Sequence, residues 1–291
     1  MRITENKPGN QSTHAKASIL SFCVSHAPIL FKNNPQLKHI ILGDSINKNS
    51  PSVHASDDIT VLIEKYPDLD FLHPLLGGSA GTFAISRILR DLDENWDEYT
   101  SISIGQYRKF ISKTIHGIPA KNYPGMFLMS ASDAKDFDVL DMQSSITTPF
   151  LLASPIQVGN LLQQYAACHR VEDLLRYSAI AIELGVIDHT EVSDFFNASS
   201  IIPGGIEFGI FPASIFVEIT SKLESICINF TQRHQPAAID RHQRRALSFC
   251  NERMGSYLLV KILNSISPSS IPADWLGHMH TIADTPAYES G

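Results

Sequence analysis

The chain has 291 residues, of which 43% are hydrophobic and 18% charged, and its formal net charge is −7. This composition supports a sizeable core and excludes a largely disordered chain. The negative charge and the lack of a long Lys/Arg block argue against a nucleic-acid partner. The length predicts one large α/β domain with an appended helical part.

The cysteines and the chain's apolar runs indicate the compartment. Cys23, Cys168, Cys227 and Cys250 lie far apart and form no CxxC pair, so buried reduced thiols are expected rather than structural zinc or disulfides. The polar segment 1–17 reads as a flexible leader without the apolar core of a signal peptide. No apolar run reaches the about 20 residues of a membrane span. We therefore expect a cytoplasmic protein, with peripheral association at the inner face of the membrane left open.

Hydrophobic periodicity predicts strands alternating with helices early in the chain and mainly helices later. The early strands are expected at 17–26, 37–42, 98–105, 126–129 and 150–153, and the early helices at 59–66 and 77–92. The later helices are expected at 158–168, 171–184, 188–197, 212–230 and 238–265, with one strand at 206–211. Residues from 267 on, rich in Pro, Ser and Gly, are expected to trail over the surface. The pattern predicts a mainly parallel sheet flanked by helices, with a helical C-terminal part.

Several common catalytic signatures are missing from the sequence: GxxxxGK[ST], GxSxG, HExxH and GxGxxG. The glycine cluster at 77–81, GGSAG, precedes a predicted helix. Its backbone N–H groups could face a phosphate, as they do at other helix N-termini. A tight loop that simply opens the helix is the alternative.

Six segments follow one another in a characteristic order. They are 24–28 (VSHAP), 77–81 (GGSAG), 105–110 (GQYRKF), 164–174 (QYAACHRVEDL), 205–211 (GIEFGIF) and 244–253 (RRALSFCNER). In order and spacing they resemble a glycosyltransferase-like family of bacterial capsule and O-antigen gene clusters, long labelled a domain of unknown function. The resemblance implies a GT-A-type fold over residues 18–265, with a nucleotide-binding α/β part at 18–155, a helical acceptor-side part at 156–265 and a tail at 266–291.

The resemblance also implies an activity. It is the transfer of a hexose from a nucleotide-diphosphate sugar, expected to be UDP-linked, to a glycan or lipid-linked acceptor in surface-polysaccharide synthesis. Three departures stand against the family pattern: Gln106 replaces a usual His, Glu207 and Gly209 fall in a strand that usually begins with Asn, and 79–84 replaces an aromatic, Glu-containing segment. They leave open a second hypothesis, a catalytically degenerate nucleotide-sugar-binding or effector protein on the same fold.

Sugar transfer requires neutralisation of the charge that develops on the leaving diphosphate. The strand expected to carry a metal-binding Asp-x-Asp ends instead in Gln106, Tyr107, Arg108 and Lys109. Arg108 and Lys109 could bind phosphate oxygens directly. We therefore expect no tightly bound cofactor, and donor binding without a divalent metal. A carboxylate of Asp133, Asp136 or Asp138 from the following loop could still supply a metal site. Solvated charges at a strand end are the alternative.

The donor is expected to bind where the first strands end, because ligands of open α/β sheets bind outside the carboxyl ends of the strands. The predicted donor-binding residues are His26, Asp44, Gln106, Tyr107, Arg108 and Lys109. We expect one cleft to be lined by His26, Asp44, Arg108 and Glu252. His26 as an ordinary loop residue and Tyr107 as a core residue are the alternatives.

An inverting transfer also needs a base for the acceptor hydroxyl. The candidates are Glu252, in an otherwise apolar helix, and the pair His169 and Asp173, which share a face if their helix is continuous. A structural ion pair of Glu252 with Arg253 or Arg245 is the alternative for that residue. Asp173 could instead cap the helix that follows.

Overall fold

The structure is a computed structural model that describes residues 19–43, 59–92, 101–121, 123–140, 146–234 and 243–283. Within these ranges the chain builds a ten-stranded mixed sheet and a separate two-stranded sheet. The strands are β1 (Ile19–Ser25), β2 (Lys38–Ile41), β3 (Ile59–Val61), β4 (Ser101–Gln106), β5 (Lys109–Ser112), β6 (Ile118–Pro119), β7 (Met126–Ser130), β8 (Leu152–Ala153), β9 (Ile156–Gln157), β10 (Ser200–Ile201), β11 (Gly209–Pro212) and β12 (Leu276–Ala283).

Helices cover the large sheet and form most of the chain after β9. They are α1 (Leu62–Lys65), α2 (Pro67–Leu76), α3 (Ser79–Asp91), α4 (Ala131–Ala134), α5 (Leu161–Cys168), α6 (Val171–Glu183), α7 (Val192–Phe196), α8 (Ala213–Arg233) and α9 (Ala246–Ile266). This arrangement agrees with the predicted mainly parallel sheet flanked by helices and followed by a helical part.

Strand β1 lies at the point where the direction of chain progress across the sheet reverses. The order β3-β2-β1-β4 places β2 and β3 on one side of β1 and β4 on the other. Both neighbours of β1 run parallel to it, with Phe22 opposite Lys38 on β2 and opposite Ile104 on β4. Beyond β4 the sheet becomes mixed, because β5 and β11 run antiparallel to their neighbours. A crevice is therefore expected at the carboxyl ends of β1 and β4.

The side chains of β1 divide the core between the two faces of the sheet, as strand alternation requires. Phe22 and Val24 belong to the large cluster that α3 and α8 cover. Cys23 belongs to a smaller cluster on the other face, with Phe31 and Phe110. Because both faces are covered, β1 is apolar almost throughout, which is typical of a central parallel strand.

Three sequence predictions need correction. Residues 59–61, expected to be helical, form the edge strand β3, and the expected strand at 206–211 is confined to Gly209–Pro212. The prediction that residues from 267 on trail over the surface is wrong for β12, which lies between β5 and β7 inside the large sheet. Its polar residues, His278, His280 and Thr281, concealed the strand in a segment otherwise rich in Pro and Ser.

We predict that Gly81→Ala destabilises the protein although alanine is the better helix former. A Cβ at Gly81 would lie 2.4 Å from Cγ1 of Val24, so α3 would have to move away from β1. The expected loss is about 1–3 kcal/mol in the free energy of unfolding, measured by urea denaturation. In a Val24→Ala background, where the clashing methyl groups are absent, Gly81→Ala should cost less than in wild type. An unchanged or increased stability of Gly81→Ala would contradict the close packing of α3 on β1.

Candidate functional site

A cavity of about 650 Å³ opens at the carboxyl end of β4, between the sheet and the beginning of α9. Charged side chains make up one part of its lining: Lys109, Glu207, Arg245, Glu252 and Arg253. Gln106, the last residue of β4, and His169 also line it. The cavity thus lies beside the reversal in strand order, where open α/β sheets bind their ligands.

Glu207 is the most strongly perturbed carboxyl group of this cavity. The Ser79 hydroxyl donates to its Oε1, and Nε2 of Gln106 donates to its Oε2 over 3.3 Å. Burial raises the pKa of Glu207 to about 7, and nearby Glu252 adds to the rise, against the lowering effect of the Ser79 hydrogen bond and of neighbouring cations. At neutral pH the group is therefore poised to accept or release a proton.

Two cations border Glu207. Burial is the main cause that lowers the pKa of Lys109, while the carboxylates of Glu252 and Glu207 favour its charged form. Arg245 ends the 3₁₀ turn Gln243–Arg245 that leads into α9, and its guanidinium lies 5.8 Å from the ring centroid of Phe249. The site therefore holds carboxylates and cations close together in a partly desolvated space, where their interactions are stronger than in water.

The glycine cluster at 77–81 leaves room for the side chains of Arg245 and Gln106, because its first two residues carry no Cβ. A Cβ at Gly77 would lie 2.8 Å from Nη2 of Arg245, and one at Gly78 would lie 2.3 Å from Nε2 of Gln106. The N–H of Gly77 donates to the carbonyl of His73, so it serves the end of α2. In this structure the cluster is a tight loop that opens α3 and leaves room for Gln106 and Arg245.

Glu252 is anchored at both carboxylate oxygens. The N–H of Gly204 donates to its Oε1 over 2.9 Å, and Nη1 of Arg253 donates to its Oε2 over 2.7 Å. The Arg253 side chain is only 7% exposed and also donates to Oε1 of Gln164. The ion pair that the sequence offered as the alternative for Glu252 is thus present, and it holds the carboxylate within the cavity lining.

His169 and Asp173 do not form the predicted pair. Helix α5 ends at Cys168 and His169 has extended backbone angles, φ −141° and ψ 168°, so no continuous helix carries both side chains. His169 lines the cavity and stacks on Phe249 with ring centroids 4.0 Å apart. Asp173 is 2% exposed in the first turn of α6, outside the cavity lining, and burial raises its pKa. It does not cap this helix, whose N-cap is Arg170.

His26, Tyr107 and Arg108 form a second group, which we call the switch-point group. The ring of His26 lies 4.8 Å from that of Tyr107 and 6.1 Å from that of His73, and Cζ of Arg108 lies 5.4 Å from the Tyr107 centroid. None of these residues lines the cavity that contains Glu252, so the expected single cleft is not formed by that cavity. Asp44 lies outside the described residues.

Arg245 acts electrostatically both on the cavity and on His73, the neighbour of His26 in the switch-point group. Its charge lowers the pKa of His73, after burial as the main cause, and it also acts on Lys109 and Glu207. Sequence reasoning had considered Arg245 only as a partner for Glu252.

A metal site and a membrane-spanning helix can both be looked for within the described residues. Among them, no three His, Cys, Asp or Glu side chains converge as a metal site. Asp138, a carboxylate considered for such a site, instead accepts from Nζ of Lys32 over 3.2 Å and from Nδ2 of Asn34 over 3.1 Å. No helix within the described ranges is both long and apolar enough to cross a membrane.

Glu207 was the main functional candidate that sequence reasoning missed. It had been noted only as a departure from the family pattern. Yet it is a carboxylate in an apolar run between Ile206 and Phe208, which is the same signal that singled out Glu252. Predicted strand geometry misled the interpretation, because Glu207 precedes β11 in a turn where its N–H donates to the Gly204 carbonyl.

The comparisons with known proteins support the fold. No protein-family profile and no curated protein sequence matches this chain. Among solved structures it is similar to the apo structure of the bifunctional glycosyltransferase WbbM, with a TM-score of 0.65 and 13% identity. The match covers 92% of this chain and 46% of that one, so the chain spans about half the length of the structure it resembles. The chain thus has a glycosyltransferase-like fold.

The raised pKa of Glu207 predicts a pH-dependent stability. The folded group binds its proton more tightly than the unfolded one, whose pKa is 4.5, so stability falls as the pH rises from that value through about 7. Glu207→Gln imitates the protonated form. The free energy of unfolding of Glu207→Gln minus that of wild type should therefore be about 1–3 kcal/mol larger at about pH 8 than at about pH 5.

Urea denaturation at the two pH values measures this difference. Glu218→Gln, at an exposed residue of α8 paired with Lys222, is the control and should show little change with pH. A Glu207→Gln difference that is the same at both pH values would show that the native pKa of Glu207 is not raised.

Proposed function

We propose that this protein is a glycosyltransferase that moves a hexose from a nucleotide-diphosphate sugar to a glycan or lipid-linked acceptor in surface-polysaccharide synthesis. The observation that carries the proposal is the cavity at the carboxyl end of β4, which combines Lys109 and Arg245 with Glu207 and Glu252 on a glycosyltransferase-like fold. Cations for a leaving diphosphate and a carboxyl group for an acceptor proton are the two requirements of an inverting transfer of this kind.

In this proposal the donor spans the switch-point group and the cavity. The nucleoside lies near the exposed His26 at the end of β1, and the sugar enters the cavity. Tyr107 is only 7% exposed, so its ring belongs to the core, as the sequence offered in the alternative, and it supports His26 from behind. The diphosphate then passes Arg108, Lys109 and Arg245. Binding of that anion would favour the charged form of Lys109, whose pKa burial lowers.

Glu207 is the proposed base for the acceptor hydroxyl. Its pKa of about 7 suits proton transfer near neutral pH, and the hydrogen bonds from Ser79 and Gln106 fix its orientation. Glu252 has both oxygens engaged by Arg253 and Gly204 and is proposed to position the acceptor and hold the local charge. His169, stacked on Phe249 in the lining, is a further candidate to contact the acceptor.

A catalytically degenerate nucleotide-sugar-binding or effector protein is the second candidate. One observation favours it: Gln106, at the position of a usual family His, donates a hydrogen bond to Glu207, and Glu252 is held in an ion pair. Both carboxylates are thus engaged before any substrate binds. A nucleotide sugar that binds tightly and is never cleaved or transferred, over a panel of acceptors, would support this candidate.

The cations give the first test of the proposed function. In a thermal-shift panel of UDP, GDP and CMP, at least one nucleotide should stabilise the protein, with UDP expected. Lys109→Ala, Arg245→Ala and Arg108→Ala should each weaken its binding by about 1–3 kcal/mol, because a charged hydrogen bond to phosphate is lost. Arg108→Lys and Arg245→Lys should recover only part, since the forked donor geometry is lost.

Isothermal titration with the same nucleotide quantifies these losses. Arg176→Ala, at an exposed arginine of α6 outside the cavity lining, is the matched control and should bind like wild type. No stabilisation by any nucleotide, or equal affinity of the cavity variants and the control, would argue against a nucleotide-diphosphate donor.

Donor binding is also predicted not to require a tightly held divalent metal. Magnesium and manganese bind carboxylate oxygens, and the end of β4 carries Gln106, Tyr107 and Arg108 instead. Titration of UDP should therefore give the same affinity with manganese and with a chelator. Binding that disappears in chelator and returns with manganese would show that a carboxylate from elsewhere supplies the site.

A further inference from the structure

The lining of the cavity has an uncharged part as well as its charged one. Four consecutive residues, 123–126 (YPGM), contribute to it, together with Ile156 and Met279. None of these side chains is charged, whereas the rest of the lining carries Glu207 and Glu252. A ligand that fits the whole cavity must therefore offer polar groups to one part and an apolar surface to the other.

A turn of fixed conformation presents this uncharged part. The N–H of Met126 donates to the carbonyl of Tyr123 over 3.1 Å, which closes a four-residue turn. Pro124 fixes the second position, and Gly125 has φ 77° at the third, as a type II turn requires. A Cβ at Gly125 would lie 3.2 Å from Cγ2 of Ile156, so the turn packs on β9.

Tyr123 is the aromatic side chain of this turn, and it reaches solvent. It is 59% exposed and also lines the cavity. No aromatic ring within the described residues packs against it. A large ring that is held by a rigid turn at a cavity, and is not used in the core, is available to a ligand at a low cost in conformational entropy.

We propose that the 123–126 turn is the acceptor-binding wall of the cavity and that Tyr123 stacks on a pyranose ring of the acceptor. A pyranose has hydroxyl groups at its edge and an apolar C–H face, which matches a lining that is charged in one part and aromatic in another. The acceptor hydroxyl would thereby be directed to Glu207. This inference rests on the proposed glycosyltransferase function and names the acceptor chemistry of the same site.

The probes are methyl and octyl glucopyranosides and galactopyranosides, added to the full chain in the presence of UDP. Saturation-transfer NMR titration measures their affinity, and isothermal titration measures that of UDP. Tyr123→Ala and Tyr123→Leu should weaken binding of the best methyl glycoside about tenfold, whereas Tyr123→Phe and Tyr123→Trp should stay within about threefold of wild type. UDP affinity should not change in any of them.

Phe71→Ala is the matched control, because Phe71 is an aromatic residue of α2 that is 82% exposed and does not line the cavity. Equal glycoside affinity of Tyr123→Ala and Phe71→Ala would overturn the proposal, as would a loss in Tyr123→Ala that is confined to the octyl glycosides. The latter result would assign the turn to an alkyl chain. UDP binding that persists in these cases would leave the proposed donor site standing, whereas a wild-type protein that binds none of UDP, GDP and CMP would remove the proposed function itself.

Discussion

The parallel pairing of β1 with both β2 and β4 is the constraint on which the rest of this structure depends. It requires the chain to cross from one side of β1 to the other between β3 and β4, and α2 and α3 make that crossing. The same crossing brings Gly77 and Gly78 against Arg245 and Gln106. The candidate site therefore exists because the sheet reverses its order beside β1, and its charged side chains were added to a crevice that the topology already provides.

Local patterns in the sequence were sufficient to predict the central strands and the long helices. The apolar run that includes Phe22 and Val24 is short and rich in β-prone residues, which indicates a buried strand, and α8 and α9 have the length and spacing of amphipathic helices. Strand β12 gave no such signal, and its partners β5 and β7 lie about 170 and about 150 residues away in the chain. Its histidines and threonine are compatible with burial only through those distant contacts.

The candidate site was predictable in part for the same reason. Gln106, Lys109, His169 and Glu252 were identified from residue type within short segments, and all four line the cavity. Asp173 was a poor choice because its assignment assumed a helix through His169, where the chain is extended. The importance of Glu207 depends on burial against Ser79, a residue 128 positions away. The raised pKa of Glu207 arises from tertiary packing, which cannot be predicted from the spacing of residues along the chain.

The position of β12 also determines when this fold can be completed. Strands β5 and β7 are not hydrogen-bonded to each other in the described sheet, and β12 joins them. During synthesis both strands leave the ribosome long before residues 276–283 do, so each keeps an open edge until almost all of the described chain has been made. Open strand edges are templates for association with other chains. A nascent form of this protein is thus exposed to mispairing from the time β5 and β7 emerge until residues 276–283 do, and its last described strand closes both edges at once.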